Sequence, residues 1–143
     1  MLNRGDEGLL SSLDRLSGAE ASASANGGAT IAGHVEHLRY GLSLLNRWAA
    51  GADAPWAGAD WTTAWRTTVV DDARWSALRK DFRREAESWL DALRAPRDYD
   101  ETATHWVFGN VAHLAYHMGA IRQIARGARG PTAEDEVRAT RAP

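Results

Sequence analysis

The chain has 143 residues, 44% of them hydrophobic, which is enough to bury one substantial core and fits a single domain. Its 17 basic and 19 acidic residues lack the positive excess of general nucleic-acid or membrane-surface binders, and no stretch approaches the roughly 20 apolar residues that span a bilayer, so we expect a soluble, cytoplasmic protein. There is no cysteine, which excludes disulfides, thiolate metal sites and cysteine nucleophiles.

The first predicted element is a short helix at the start of the chain. Helical spacing of three leucines predicts it over about residues 4–18: Leu9, Leu13 and Leu16. Asn3 or Asp6 can cap this helix, because short polar side chains accept hydrogen bonds from the first free backbone N–H groups. The stretch SGAEASASANGGAT that follows is small, polar and glycine-containing, which predicts a connection.

The second predicted helix begins after Thr30, which can serve as its N-cap, and ends near Gly51. Its apolar residues recur at spacings of four and three, as in a helix that faces a bundle core: Ile31, Val35, Leu38, Leu42, Leu45 and Ala49. Residues 52–70 show no sustained period, so we interpret them as a structured loop with at most a short strand or turn of helix. This loop contains several residues typical of turns and anchors: Pro55, Trp56, Gly58, Trp61 and Trp65.

Two further helices are predicted in the second half of the chain. Asp71 or Asp72 can cap the third, and Pro96 ends it. Its apolar stripe has six members: Trp75, Leu78, Phe82, Ala86, Trp89 and Leu93. The fourth begins near residues 102–104 and ends before Gly127. Its stripe also has six members: Val107, Val111, Leu114, Met118, Ile121 and Ala125.

These elements predict an all-α fold, a four-helix bundle with a long tryptophan-containing loop between the second and third helices. Residues 1–130 form a single domain in this interpretation. Residues 131–143 carry little apolar content, so we expect a flexible C-terminal tail.

Histidines on the second and fourth predicted helices suggest a metal site. His113 and His117 are four residues apart, so both imidazoles lie on one helix face and can ligate one ion. Each of them, like His37 on the second helix, directly precedes a residue of the apolar stripe. All three therefore lie about 100° to the same side of their stripes, and they converge if those faces pack together.

Three neutral imidazoles leave at least one coordination position for water or substrate, as in catalytic rather than structural sites. Histidine nitrogen accepts Zn, Ni, Fe, Co and Cu. We expect Zn or Ni in the isolated protein, with Fe, Co and Mn as further options. A pair of histidines at this spacing also occurs as surface or helix-capping residues, and from spacing alone that interpretation stays open.

The segments TIAGHVEHLRYGL and NVAHLAYHMGAIRQI resemble the two signature helices of the DinB-like (YfiT-like) family of metal-binding four-helix bundles. The resemblance runs from about Thr30 to Arg126 and includes the DWTTAW and ARWSAL stretches. It implies that His37, His113 and His117 bind a divalent ion. It also implies a homodimer and, in characterised branches, transfer or isomerisation chemistry with a low-molecular-weight thiol.

Two polar residues near these histidines are candidates for catalysis. His34 lies one turn before His37 and could act as an acid or base near bound substrate. Asn110, one turn before the histidine pair, could orient a ligand or hold substrate. A polar helix-face histidine and an interhelical hydrogen bond are the alternative interpretations of the two residues.

The aromatic residues are expected mostly as core and loop anchors. Trp48 and Trp106 lie on the histidine faces of their helices and could form the walls of an apolar pocket. His105 is close to the start of the fourth predicted helix, and we interpret it as a helix-terminus residue.

Two functional hypotheses follow. In the first, the protein is a metal-dependent hydrolase or thiol-dependent S-transferase or isomerase, in which the ion activates water or an external thiol to attack a small molecule. In the second, a structural ion tethers two helices of a noncatalytic, stress-associated bundle. Only the first hypothesis predicts that loss of His34 or Asn110 leaves metal binding unchanged and alters a turnover rate. A third hypothesis, an interaction module without an ion, requires all three histidines to be incidental.

Overall fold

A computed structural model describes residues 8–25, 27–96 and 98–125. The described residues form helices α1 (Leu9–Asp14), α2 (Gly18–Ala21), α3 (Ile31–Ala49), α4 (Trp61–Ala64), α5 (Asp72–Arg94) and α6 (Glu101–Ile124). Helices α1, α3, α5 and α6 correspond to the four predicted ones, which confirms the all-α bundle. Within this part of the chain no helix combines the length and apolar character needed to cross a membrane. The predicted tail, residues 131–143, lies outside it.

Side-chain caps explain where the three long helices begin. Thr30 accepts a hydrogen bond from the Gly33 N–H at the start of α3, as predicted. Asp71, one of the two predicted caps, accepts from the Arg74 N–H at the start of α5. Helix α6 begins slightly before the predicted 102–104, because the Asp100 carboxylate caps it.

The N-terminal region differs from the prediction. Helix α1 ends at Asp14, so the prediction of one helix continuing to residue 18 is wrong; its predicted start and both predicted caps lie outside the described residues. The predicted connection contains α2 instead, because Ser17 and Glu20 form a capping box. The Ser17 hydroxyl accepts from the Glu20 N–H, and the Glu20 carboxylate accepts from the Ser17 N–H.

The hydrophobic core lies mainly between α3 and α5, whose apolar stripes pack together over most of their length. Its large, fully buried members on these helices are Ile31, Val35, Leu38, Leu42, Trp75, Leu78, Phe82 and Trp89. Leucines of α1 extend the core, and the Trp75 indole N–H donates to the Leu16 carbonyl at 2.7 Å. This interface fixes the two helices against each other, so α3 presents its remaining face to α6.

Helix α6 packs on α3 with a rotation that the apolar pattern did not predict. Its buried residues include Asn110 and His117, whereas Val111, predicted in the core, is 45% exposed. The prediction for Val111 is wrong because the histidine row of α6, rather than its full apolar stripe, faces α3. The opposite side forms an exposed surface, which we call the outer face of α6: Phe108, Val111, Ala112, Ala115, Tyr116 and Gly119.

Candidate metal centre and adjoining pocket

The packing of α6 on α3 brings together the three histidines predicted to converge. The His113 Nε2 atom lies 3.0 Å from Nε2 of His37 and 3.0 Å from Nε2 of His117. One ring nitrogen from each of the three lies within 4.8 Å of the other two. The cluster therefore combines two ligands one helical turn apart on α6 with a third from α3.

Two of the three nitrogen separations match those of imidazoles on a shared metal ion. Two imidazole ligands bound at about 2.0–2.1 Å to one ion lie roughly 2.9–3.4 Å from each other, depending on the bond angle. The observed 3.0 Å separations fall within that span. His37, His113 and His117 could therefore hold a metal ion through nitrogen alone.

The environment keeps the imidazoles in the uncharged form that metal binding requires. Burial, and then the proximity of His113 and His34, lowers the pKa of His37 to about 4. Burial, and then the three neighbouring histidines, lowers the pKa of His117 to about 3. Burial also lowers the pKa of His34 and of His113. At neutral pH protons therefore compete little with a metal ion for these nitrogens.

Two indoles from the loop between α3 and α5 cover the α3 side of the cluster. The Trp65 ring stacks on His37 with centroids 4.4 Å apart and planes 23° apart. It also meets the His34 ring edge to face at 5.4 Å. The Trp61 ring lies 5.5 Å from His37. These rings restrict the access of water to the His37 imidazole from that side.

Helix α4 places both indoles, and its own N-terminus is firmly fixed. The Asp60 carboxylate accepts hydrogen bonds from the N–H and hydroxyl of Thr62 and from the hydroxyl of Thr63. These bonds lower the pKa of Asp60 well below its usual range. The Asp60 N–H donates to the Tyr40 hydroxyl of α3 at 3.0 Å. The loop is thus tied to the helix that supplies His37.

A cavity of about 650 Å³ adjoins the histidine cluster. The described residues that line it are His37, Gly41, Leu45, Trp56, Trp61, His105, Trp106, Gly109, Asn110 and His113. The Trp56 and Trp106 rings stack at 4.2 Å with planes 16° apart, and Trp61 lies nearly parallel to Trp56 at 6.4 Å. The pocket is therefore walled by indoles and bordered by two of the three clustered histidines.

The aromatic residues follow the prediction in part. Trp106 lines the pocket as predicted, whereas Trp48 stacks behind it at 6.4 Å and does not line the pocket. The sequence did not identify Trp56 and Trp61 as pocket residues. Their loop has no helical period, so nothing in its pattern fixes the direction of their side chains.

The candidate residues His34 and Asn110 occupy different positions. His34 is only 8% exposed and lies outside the pocket lining, with its Nδ1 2.8 Å from Nδ1 of His117. Asn110 is 7% exposed and lines the pocket, and its side chain forms no hydrogen bond with another described residue. His34 is therefore placed to orient His117, and Asn110 to meet a molecule in the pocket.

His105 lies at the start of α6, as predicted, but it also borders the pocket. Its Nδ1 lies 3.0 Å from the Glu101 carbonyl oxygen, which can only accept a hydrogen bond. Nδ1 therefore carries the proton, and Nε2 of the neutral ring remains an acceptor.

Comparison with known proteins supports the family resemblance seen in the sequence. A protein-family model described as the DinB superfamily matches residues 1–121, a span that includes all of the clustered histidines. No curated protein and no solved structure matches the chain.

Proposed function

Because the chain belongs to the DinB superfamily and gathers three histidine nitrogens beside a pocket, we propose that it is a metal-dependent enzyme acting on a small molecule. In this proposal His37, His113 and His117 hold one divalent ion, with Zn or Ni as the first candidates and Fe, Co and Mn as further ones. The observation that carries the proposal is that His37 and His113 also line the pocket. A molecule in the pocket would therefore lie beside the ligand set.

A divalent ion bound here supplies Lewis acidity, which lowers the pKa of a coordinated water or thiol and polarises an electrophile. Three protein ligands leave room for such a group. The proposed reaction is hydrolysis by water, or transfer or isomerisation with a low-molecular-weight thiol. Any thiol must come from outside the chain, which has no cysteine.

The surrounding side chains have separate roles in this proposal. With Nε2 of His117 facing the cluster, its Nδ1–H donates a hydrogen bond to Nδ1 of His34, which fixes the ring orientation. Trp65 limits the access of water to the cluster from the α3 side. Asn110 offers an amide donor and an acceptor to substrate.

The alternative is a structural ion that ties α3 to α6 in a noncatalytic protein. Structural sites are usually closed by four protein ligands, and removal of the metal ion from such a site costs much of the folding free energy. The three-histidine set and the adjoining cavity favour the catalytic alternative.

The test is metal content per chain, measured by elemental analysis of untagged protein after incubation with Zn or Ni and removal of free ion. We expect about one ion per chain in the wild type, since the cluster offers one set of ligands. His113→Ala should lose it, because two nitrogens from different helices remain. His105→Ala, a matched change on the same helix outside the cluster, should retain it.

Wild-type protein without metal after this treatment would refute the proposed site. The melting temperature with and without chelator distinguishes a catalytic ion from a structural one. A small decrease on chelation is expected for an open catalytic ion, and complete unfolding would support the structural alternative.

We also propose that the protein forms a homodimer, as the family resemblance implies, through the outer face of α6. This face carries the large rings of Phe108 and Tyr116 beside the small residues Ala112, Ala115 and Gly119. In an antiparallel contact between two copies, the large side chains of one would meet the small ones of the other. Such a contact would remove exposed aromatic surface from water.

Sedimentation velocity across a range of concentrations tests this contact. Phe108→Glu should shift the protein to monomer, because it places a charge within the apolar contact. Tyr99→Glu changes another exposed aromatic residue, which is not part of the outer face of α6, and should leave the dimer intact. A wild type that stays monomeric, or equal behaviour of both variants, would refute the contact.

A further inference from the structure

We propose that the pocket beside the histidine cluster binds an uncharged molecule with a flat aromatic ring and a neutral donor–acceptor group. This inference rests on the proposed function, because it names the substrate class for the same site. Three properties of the pocket carry it: the charge of its lining, the arrangement of its indoles and one asparagine amide that forms no hydrogen bond with another described residue.

The lining argues against a charged ligand. Among the described residues that border the cavity, none is Asp, Glu, Lys or Arg. An ion brought into such a site loses its hydration and gains no countercharge from these side chains. Without a bound metal ion, a ligand with a carboxylate or an ammonium group inside the pocket is therefore disfavoured. If an external thiol takes part in the reaction, we expect its charged groups to lie outside this cavity.

The indoles argue for a flat ring. Trp56 is nearly parallel to both Trp106 and Trp61, with interplanar angles of 16° and 19°. Aromatic groups pair favourably in offset-stacked or edge-to-face arrangements with such surfaces. Glycines keep the adjoining space free: a Cβ on Gly41 would already lie 3.7 Å from both His113 and Trp61, and one on Gly109 would meet open space. Larger side chains at these positions would occupy room that a planar ligand can use.

Asn110 argues for a neutral polar group on that ring. More than nine-tenths of this residue is buried, it borders the pocket, and its amide has no hydrogen bond within the described chain. The amide of Asn110 keeps its donor and acceptor free on the border of the pocket, so a ligand that supplies both an acceptor and a donor can pair with it. An uncharged amide or lactam edge has this pattern, and Nε2 of His105 offers a second acceptor at the pocket.

Three matched probes separate these features: 2-naphthamide, 2-naphthoate and acetamide. The naphthalene compounds share a ring and differ in charge, whereas the two amides share the polar group and differ in the ring. Equilibrium dialysis measures the binding of each probe to the full chain, both metal-loaded and chelator-treated. In the chelator-treated form we expect 2-naphthamide to bind at least about tenfold more tightly than either of the others. In the metal-loaded form we expect the same margin over acetamide, because a bound ion would attract the carboxylate of 2-naphthoate.

Two variants link the binding to the pocket. Asn110→Ala should weaken 2-naphthamide binding about fivefold, the loss expected for one hydrogen bond. Gly41→Val should weaken it more, because its side chain enters the free space. Tyr99→Ala is the control, since it removes an exposed aromatic ring outside the pocket. Circular dichroism verifies that each variant retains the wild-type helix content.

Binding of 2-naphthoate as tight as that of 2-naphthamide in the chelator-treated protein would overturn the inference. So would acetamide binding equal to that of the ring compound, or unchanged binding in a folded Gly41→Val variant. These outcomes differ from failure of the proposed function, because that function fails when the wild type binds no metal. A chain that binds no metal and still discriminates the probes would refute the metal site and leave the ligand class standing.

Discussion

Helix α3 contacts both α5 and α6, and the two interfaces differ in what they bury. Against α5, large apolar side chains such as Leu38 and Phe82 pack in a continuous core. Against α6, the buried groups include His117 and Asn110, and a pocket of about 650 Å³ adjoins the contact. One face of α3 thus supplies most of the packing, while the other holds a cluster of polar groups beside a cavity.

The largest expected effect comes from weakening the α3–α5 interface. Phe82→Ala removes a fully buried ring and should lower the free energy of unfolding by about 3–5 kcal/mol, measured by urea denaturation. Phe82→Leu is the matched control and should cost less, because most of the volume is retained. Metal content of the folded fraction should stay unchanged in both. A folded Phe82→Ala protein that loses its metal would show that packing on the α5 side of α3 affects metal binding on its α6 side.

Acidification should weaken the α3–α6 interface in metal-free protein. Above about pH 6.5 the histidines are neutral in the folded and unfolded chain. Below it the unfolded chain gains protons, whereas His37 and His117 remain neutral down to about pH 4 and 3 because they are buried near other histidines. Stability should therefore decrease as pH falls from 6.5 to 5, by up to about 1.4 kcal/mol per pH unit for each histidine.

Urea denaturation of chelator-treated protein at several pH values measures how the free energy of unfolding changes with pH. His37→Gln removes one of the histidines whose pKa is lowered by burial and should make the dependence of stability on pH shallower. Parallel pH dependence in the wild type and the variant would contradict the assignment of the slope to this cluster.

A smaller effect is expected from His34, which acts on the same interface through His117. His34→Ala leaves the Nδ1 proton of His117 without its acceptor and should weaken metal affinity about 10–100-fold, measured by competition with a chelator. His34→Asn keeps an acceptor near the same position and should recover part of the affinity. Unchanged affinity in His34→Ala would return this residue to the role of acid or base suggested by the sequence.

The smallest effect is expected at the contact that ties the tryptophan loop to α3. Tyr40→Phe removes the hydroxyl that accepts from the Asp60 N–H and should lower the free energy of unfolding by about 0.5–1.5 kcal/mol. The change should be confined to the loop and should alter tryptophan emission, because Tyr40 also packs edge to face on Trp61. A loss as large as that of Phe82→Ala would mean that the loop is part of the core.

The elements that sequence predicted best are those with an N-cap and a regular apolar stripe. Thr30 and Asp71 begin α3 and α5 where expected, and the stripes of both helices are largely buried. The shared face of His113 and His117 followed from helix geometry, since residues four apart lie on one side of a helix. Their convergence with His37 was predicted only on the condition that those faces pack together. The capping box at Ser17 was also present in the sequence, within a stretch whose composition favoured a connection.

What the sequence left undetermined depends on tertiary packing. The stripe of α6 and its histidine row are about 100° apart, and local pattern does not decide which of them faces α3. Val111 was therefore misplaced in the core. The pocket positions of Trp56 and Trp61 depend on how an aperiodic loop folds over α3, and the pairing of His34 with His117 depends on the rotation of both helices.

The separation of the clustered histidines along the chain has a consequence for dynamics. His37 and His113 are 76 positions apart, so an ion shared between them acts as a cross-link that closes a long loop. Helix α6, which has far less contact with α3 than α5 has, would open from the bundle only after a coordinate bond breaks. Amide hydrogen exchange along α6 should then slow with bound metal, and the extent of slowing would report how strongly the ion holds this helix to the bundle.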